Sequence, residues 1–112
     1  MKYCLVTGGG GFESPIGIKY FQGQGQYNGI RIKANYVYLN IFMYGFGSSC
    51  FAYVLVNTNN SINYAKLSDT TSQVLSITAD GNDIVIKFGT PWFDVTFISS
   101  YLGIMTFERI NL

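Results

Sequence analysis

The chain has 112 residues, of which 48% are hydrophobic, 17% aromatic and only 12% charged, with a formal net charge of +1. That length builds one core, burying roughly 65% of the surface of the unfolded chain, and leaves no room for a second domain. The charge balance excludes the clustered Lys and Arg of a nucleic-acid footprint, and the lack of any His excludes Ser-His-Asp, Cys-His and most zinc or haem sites.

In chain order, residues 2–7 form a short apolar run ending at Gly8, too short for the apolar region of a signal peptide. Later apolar runs stop short of the roughly 18 to 20 residues of a membrane-spanning helix, Asn40 and Gly45 interrupting the longest. Residues 1–14 are expected to be an N-terminal strand with a Gly-rich connector, and residues 15–112 a single β-sandwich domain. Thr7, Gly8, Gly11 and Phe12 look like the opening turn of the extended short-chain dehydrogenases. Ser14 replaces the closing glycine of that motif, Pro15 stands where its helix would run, and no helical periodicity follows, so nucleotide binding is not expected. Cys4 and Cys50 fall in apolar strand patterns and read as buried free thiols.

Residues 16–22 read as a strand and 22–29 as a loop. In that loop Gln22, Gln24, Gln26 and Asn28 offer amide donors and acceptors, glycines supply backbone freedom, and Tyr27 supplies a ring face. This mixture suits sugar hydroxyls, because amides make paired hydrogen bonds and an aromatic ring stacks on the apolar face of a pyranose. The competing reading is an ordinary solvent loop.

The next strand alternates cleanly, Ile30, Ile32 and Ala34 against Arg31 and Lys33. The strand after it does not. Val37, Leu39, Ile41 and Met43 share one face, and Tyr36, Tyr38, Phe42 and Tyr44 the other. Residues 50–56 repeat the situation with Phe51 and Tyr53. A strand apolar on both faces needs a second covering layer. No helix is expected within the chain, so Tyr36, Tyr38, Phe42, Tyr44, Phe51 and Tyr53 are expected at an interface with other copies, the alternative being cover by long loops. So small a charged fraction points the same way.

Residues 61–67 form a further strand, and 68–73 carry polar turn chemistry. In residues 74–100 a strand, a turn at Asp80, Gly81 and Asn82, a strand with Ile84, Ile86 and Phe88 inward, a turn at Gly89, Thr90 and Pro91, and a strand from Trp92 read as an antiparallel meander. A last strand covers residues 104–110. Nine or ten short strands at roughly ten-residue spacing give an all-β fold, an antiparallel β-sandwich of jelly-roll type. Catalysis would fall to six carboxylates, of which Asp80 and Asp83 are closest in sequence. They flank a turn, where Asp is favoured for local hydrogen bonding, so neither a glycosidase pair nor a calcium site is expected. No metal or cofactor is expected, and no enzyme. Trp92, Tyr64 and Tyr101 lie near loops or strand ends and complete the candidate ligand-binding set, the competing reading for Trp92, at a strand start after Pro91, being core or interface packing.

Asp80, Gly81, Ile84, Val85, Ile86, Lys87, Trp92, Val95, Thr96, Ile98 and Ser99 form a strand, a DG turn, an I-V-I-K strand and a W-x-x-V-T-x-I-S strand. This succession resembles the C-terminal receptor-binding tip domains of trimeric phage tail fibres and related decoration proteins. The resemblance implies a homotrimer in the virion, made in the host cytoplasm, with other virion proteins and a host-surface glycan as partners and no insertion into a membrane. The implied function is non-enzymatic attachment. A purely structural fibre or capsid protein and a monomeric carbohydrate-binding module are the alternatives.

Overall fold

Alternation of side chains sets the strands, and their registers set the layers. A computed structural model of the chain describes residues 17–33, 38–45, 51–58, 61–99 and 105–112. Nine strands are present among the described residues: β1 (Gly17–Gln22), β2 (Gly29–Lys33), β3 (Tyr38–Gly45), β4 (Phe51–Thr58), β5 (Ser61–Asp69), β6 (Val74–Asp80), β7 (Asp83–Phe88), β8 (Asp94–Ser99) and β9 (Thr106–Ile110). They pair antiparallel in two sheets, ordered β1-β8-β3-β4-β5 and β6-β7-β2-β9. The described residues hold no helix long and apolar enough to cross a membrane.

The sheets face each other across one apolar core. Ile41, Met43, Phe51, Leu55, Val95 and Phe97 come from the first sheet, and Ile30, Ile32, Ile84, Ile86 and Phe88 from the second. All are shut off from solvent, and burying each such side chain is worth about 1.5 to 3 kcal/mol. Rings bridge the layers, Phe51 to Phe88 at 5.9 Å and Phe97 to Phe107 at 5.1 Å between centroids. The seam between edge strands β1 and β9 is closed by Phe21 stacked on Phe107 at 5.3 Å, with the Lys19 ammonium over the Phe107 ring at 5.2 Å. This seam leads directly to the loop that follows β1.

Three expectations change. The stretch 74–100 is no three-stranded meander: β6 and β7 pair as a hairpin, but β8 joins the other sheet between β1 and β3. The chain crosses over at residues 89–93, where Phe88 and Phe93 stack at 4.4 Å and fill the bend. Second, strict alternation along 74–78 would set Leu75 on the face of the buried Ile77, but a register shift between Val74 and Ser76 breaks the alternation and leaves Leu75 exposed.

Third, Phe51 and Tyr53 lie in the chain's own core, 0% and 3% exposed, and not on an outer face. They pair with Gly45 and Met43, so the two-residue period of β4 turns them inward and turns Ala52, Val54 and Val56 outward. Phe42 and Tyr44 do point outward and are half-buried. Tyr38 lies in β3 opposite Thr58. Tyr36, Tyr101, Cys4, Cys50 and the whole of residues 1–14 fall outside the described residues.

The outward face of the five-stranded sheet carries an apolar row across its full width. Ile18, Ile98, Phe42, Val54 and Ala65 line up as successive cross-strand neighbours from β1 to β5, and Tyr20, Thr96, Tyr44 and Ala52 form the adjoining row. Ile18 and Tyr20, on the edge strand, are 66% and 55% exposed.

At the β6–β7 turn only Gly81 of the two central residues has positive φ, 62°, the pattern of a type II′ hairpin. Arg31, across the sheet on β2, donates to Asp80 at 3.0 Å and to Asp83 at 2.9 Å. Both carboxylates therefore serve one guanidinium.

Candidate functional site

Where β1 ends and β8 begins, two loops are zipped together by their backbones. Gln22 and Asp94 are the last paired residues of the β1–β8 ladder. Beyond them the N–H of Gly23 donates to Phe93 O at 2.9 Å, and that of Gly25 to Pro91 O at 2.8 Å. The N–H groups of Gln26 and Tyr27 both donate to Gly23 O, which closes the loop on itself. The tight reversal is made by two successive left-handed residues, Gln24 at φ 55° and Gly25 at φ 73°. Across from them the Trp92 N–H donates to the Thr90 hydroxyl at 3.1 Å, a side-chain turn that fixes the entry to β8.

This arrangement encloses an open cleft of about 430 Å³ lined by Gln22, Gln24, Gln26, Trp92, Phe93 and Asp94. Its parts differ sharply in burial. Phe93 is 1% exposed and forms a buried floor, whereas Trp92 is 71% exposed, the most solvent-facing of the large hydrophobic side chains described. The six-membered ring of the indole lies against Gly25, where any Cβ would stand 2.6 Å from Cζ2. Leaving so much of a Trp in water gives up apolar burial, which the fold recovers only if something else covers the ring.

Arg109 reaches the loop from the edge strand β9. Its Nη1 donates to the Gln22 carbonyl and to Gln24 Oε1, both at 3.1 Å, and its guanidinium sits 4.7 Å from the centroid of Tyr27. The ion–ring contact is attractive and orders both partners.

Four of the eight residues expected to bind ligand, Gln22, Gln24, Gln26 and Trp92, thus meet in one cleft. The others do not. Tyr27 is half-buried, packed on the core and covered by Arg109. Asn28 is taken up by the last strand: its Nδ2 donates to Leu112 O at 3.0 Å and its Oδ1 accepts from Leu112 N–H at 2.7 Å. Tyr64 lies on β5, four strands and about 19 Å from β1, with its ring edge-on to Tyr53 at 5.8 Å. Tyr101 is outside the described residues. Phe93, Asp94 and Arg109 were not singled out from the sequence. The alternation of β8 places Asp94 opposite Gln22 once the β1–β8 pairing is known, but Arg109 stands 85 positions from Gln24 and no local pattern announces it.

Chemically, the cleft combines a presented indole, three carboxamides and one carboxylate. Amides and carboxylates bond hydroxyl pairs, and a Trp face takes up C–H surface, so the set matches a hydroxyl-rich ring compound. Among the described residues no group of three or more Cys, Asp or Glu comes together to hold a metal ion. No protein-family model matches the chain, and neither a curated protein nor a solved structure matches it.

Proposed function

We propose that the chain is a non-enzymatic binding module that holds a saccharide in the Trp92 cleft, acting as the tip of an assembled virion fibre that attaches to host-surface glycan. The observation that carries the saccharide reading is Trp92 itself, 71% exposed yet seated on Gly25 beside Gln22, Gln24 and Gln26. A sugar ring stacked on the indole would cover its apolar face and exchange hydroxyl–water bonds for bonds to the carboxamides beside it. One such site is weak, and several copies on one assembly multiply it through effective concentration.

Assembly is supported by the outward apolar rows of the five-stranded sheet, which leave Ile18 and Tyr20 in water in a single chain. A trimer is the form implied by the resemblance of residues 80–99 to fibre tips, and a jelly-roll-like protomer is what the number and spacing of the strands suggest. The rows equally suit a purely structural fibre protein, in which the cleft would bind nothing.

Binding of the labelled chain to an array of immobilised glycans, beside Trp92→Ala, tests the reading. Retention on a definable set of glycans that the variant loses is expected. Identical behaviour of the two chains would sink it.

A further inference from the structure

Gln24 is held at φ 55°, where a side chain other than Gly or Asn is uncommon. The neighbouring Gly25 shows what the turn asks of the backbone, and a second glycine would meet that demand without strain. A glutamine at this position therefore serves its side chain rather than its backbone. That side chain is not left to rotate: its Oε1 accepts from Arg109 Nη1 at 3.1 Å, while the residue lines the cleft. With the oxygen committed to a donor, the amide keeps its two N–H donors for what lies in the cleft. The same Arg109 atom also serves the Gln22 carbonyl, and its guanidinium is stacked on Tyr27. Arg109 is thus engaged in holding the loop, and among the described residues the cleft is lined by Gln22, Gln24, Gln26 and Asp94 beside the two rings.

We propose that Gln24 is a specificity-determining residue of the cleft, oriented by Arg109 to donate to an oxygen of the ligand, and that the ligand is a neutral saccharide and not a sialic or uronic acid. This rests on the saccharide reading of the cleft. Arg109 acts as a positioning residue: it sets which end of the Gln24 amide faces outward.

The experiment compares the wild-type chain with Gln24→Glu and Gln24→Gly, using methyl glycosides of galactose, glucose and N-acetylglucosamine as neutral probes and N-acetylneuraminic and glucuronic acids as anionic ones. Binding is followed by calorimetry and fold stability by thermal melting. Gln24→Glu keeps an oxygen for Arg109 and strengthens that bond with charge, but removes both donors. Gln24→Gly removes the side chain together with the left-handed strain. The expected result is that wild type takes up neutral sugars only. Both variants melt at or above the wild-type temperature and bind roughly tenfold more weakly, the loss of about one hydrogen bond. Equal affinity of Gln24→Glu and wild type for a neutral sugar would overturn the role of Gln24 and leave the cleft reading standing. Preference for the anionic probes would overturn the ligand class alone. A wild-type chain that answers no probe, and no glycan on an array, would overturn the cleft reading and this inference with it.

Discussion

The indole of Trp92 rests on Gly25, and the space between them has no room for a single added carbon: a Cβ on Gly25 would stand 2.6 Å from Cζ2 and 2.8 Å from Cη2. The same glycine is left-handed, at φ 73°. Gly25→Ala therefore meets a steric and a conformational obstacle together, and is expected to cost about 1 to 3 kcal/mol. Because the chain has one tryptophan, its emission reports this contact alone. Gly25→Ala is expected to shift that emission and lower the melting temperature. An unchanged spectrum would mean that the ring is not seated on the loop.

Phe93 floors the cleft and stacks on Phe88 at the crossover, 4.4 Å between centroids. Being 1% exposed, it is expected to cost about 3 to 5 kcal/mol when cut to Ala, through lost burial and the cavity left behind. Phe93→Leu should cost much less. Urea unfolding of both variants checks the ratio, and equal losses would show that ring stacking, rather than volume, holds the bend.

At the far end of the first sheet, Asp69 accepts from the Tyr53 hydroxyl at 2.8 Å and from the Thr71 hydroxyl at 3.1 Å. Burial alone would raise the Asp69 carboxyl, but these bonds, with the backbone N–H groups of Ser72 and Gln73, outweigh it and hold the group below the usual carboxylate value. Burial first, and the Asp69 bond second, push the Tyr53 hydroxyl up out of the usual phenol range, so it stays a donor. A depressed carboxyl contributes stability above its unfolded value, near 4, and that contribution is lost as pH falls through the folded value. Wild type is expected to be more stable than Asp69→Asn at pH 7, the gap narrowing below about pH 4. A gap independent of pH would show that the carboxylate's charge is not what Tyr53 and the turn bind.

The outward rows of the five-stranded sheet predict where copies meet. Val54 and Phe42 are cross-strand neighbours at the centre of that face. Val54→Lys places a charge there without touching the core, so the melting temperature of the isolated chain should change little while self-association is lost. Light scattering at several concentrations checks this. A wild-type chain that is already monomeric would remove assembly from the account and leave the cleft.

Much of this was legible in residues alone. Strand positions followed from two-residue alternation, as in Ile30 and Ile32 against Arg31, and the Gly81 turn from its chemistry. What alternation could not give was sheet membership. A turn at residues 89–93 reads the same whether β8 returns beside β7 or crosses to the other layer, and only the packing of Phe88 on Phe93 decides. Nor could it choose between two apolar faces: Phe51 and Tyr53 drew attention as aromatics, yet the register with Gly45 and Met43 turns them inward. In the cleft, Gln22, Gln24, Gln26 and Trp92 were visible as residue types, while Asn28 was spent on Leu112 and Arg109 arrived from the other end of the chain. Local composition shows which groups are available. Long-range hydrogen bonds decide which remain so.

The most direct test of the saccharide site is a fluorescence titration of the wild-type chain with whichever glycans it retains from an array, since the lone tryptophan stands in the cleft. The expected result is a saturable change in Trp92 emission, with a Kd that Gln24→Glu raises about tenfold. Retention of a glycan with the emission of Trp92 unmoved through saturation would contradict it, placing the binding surface elsewhere on the chain.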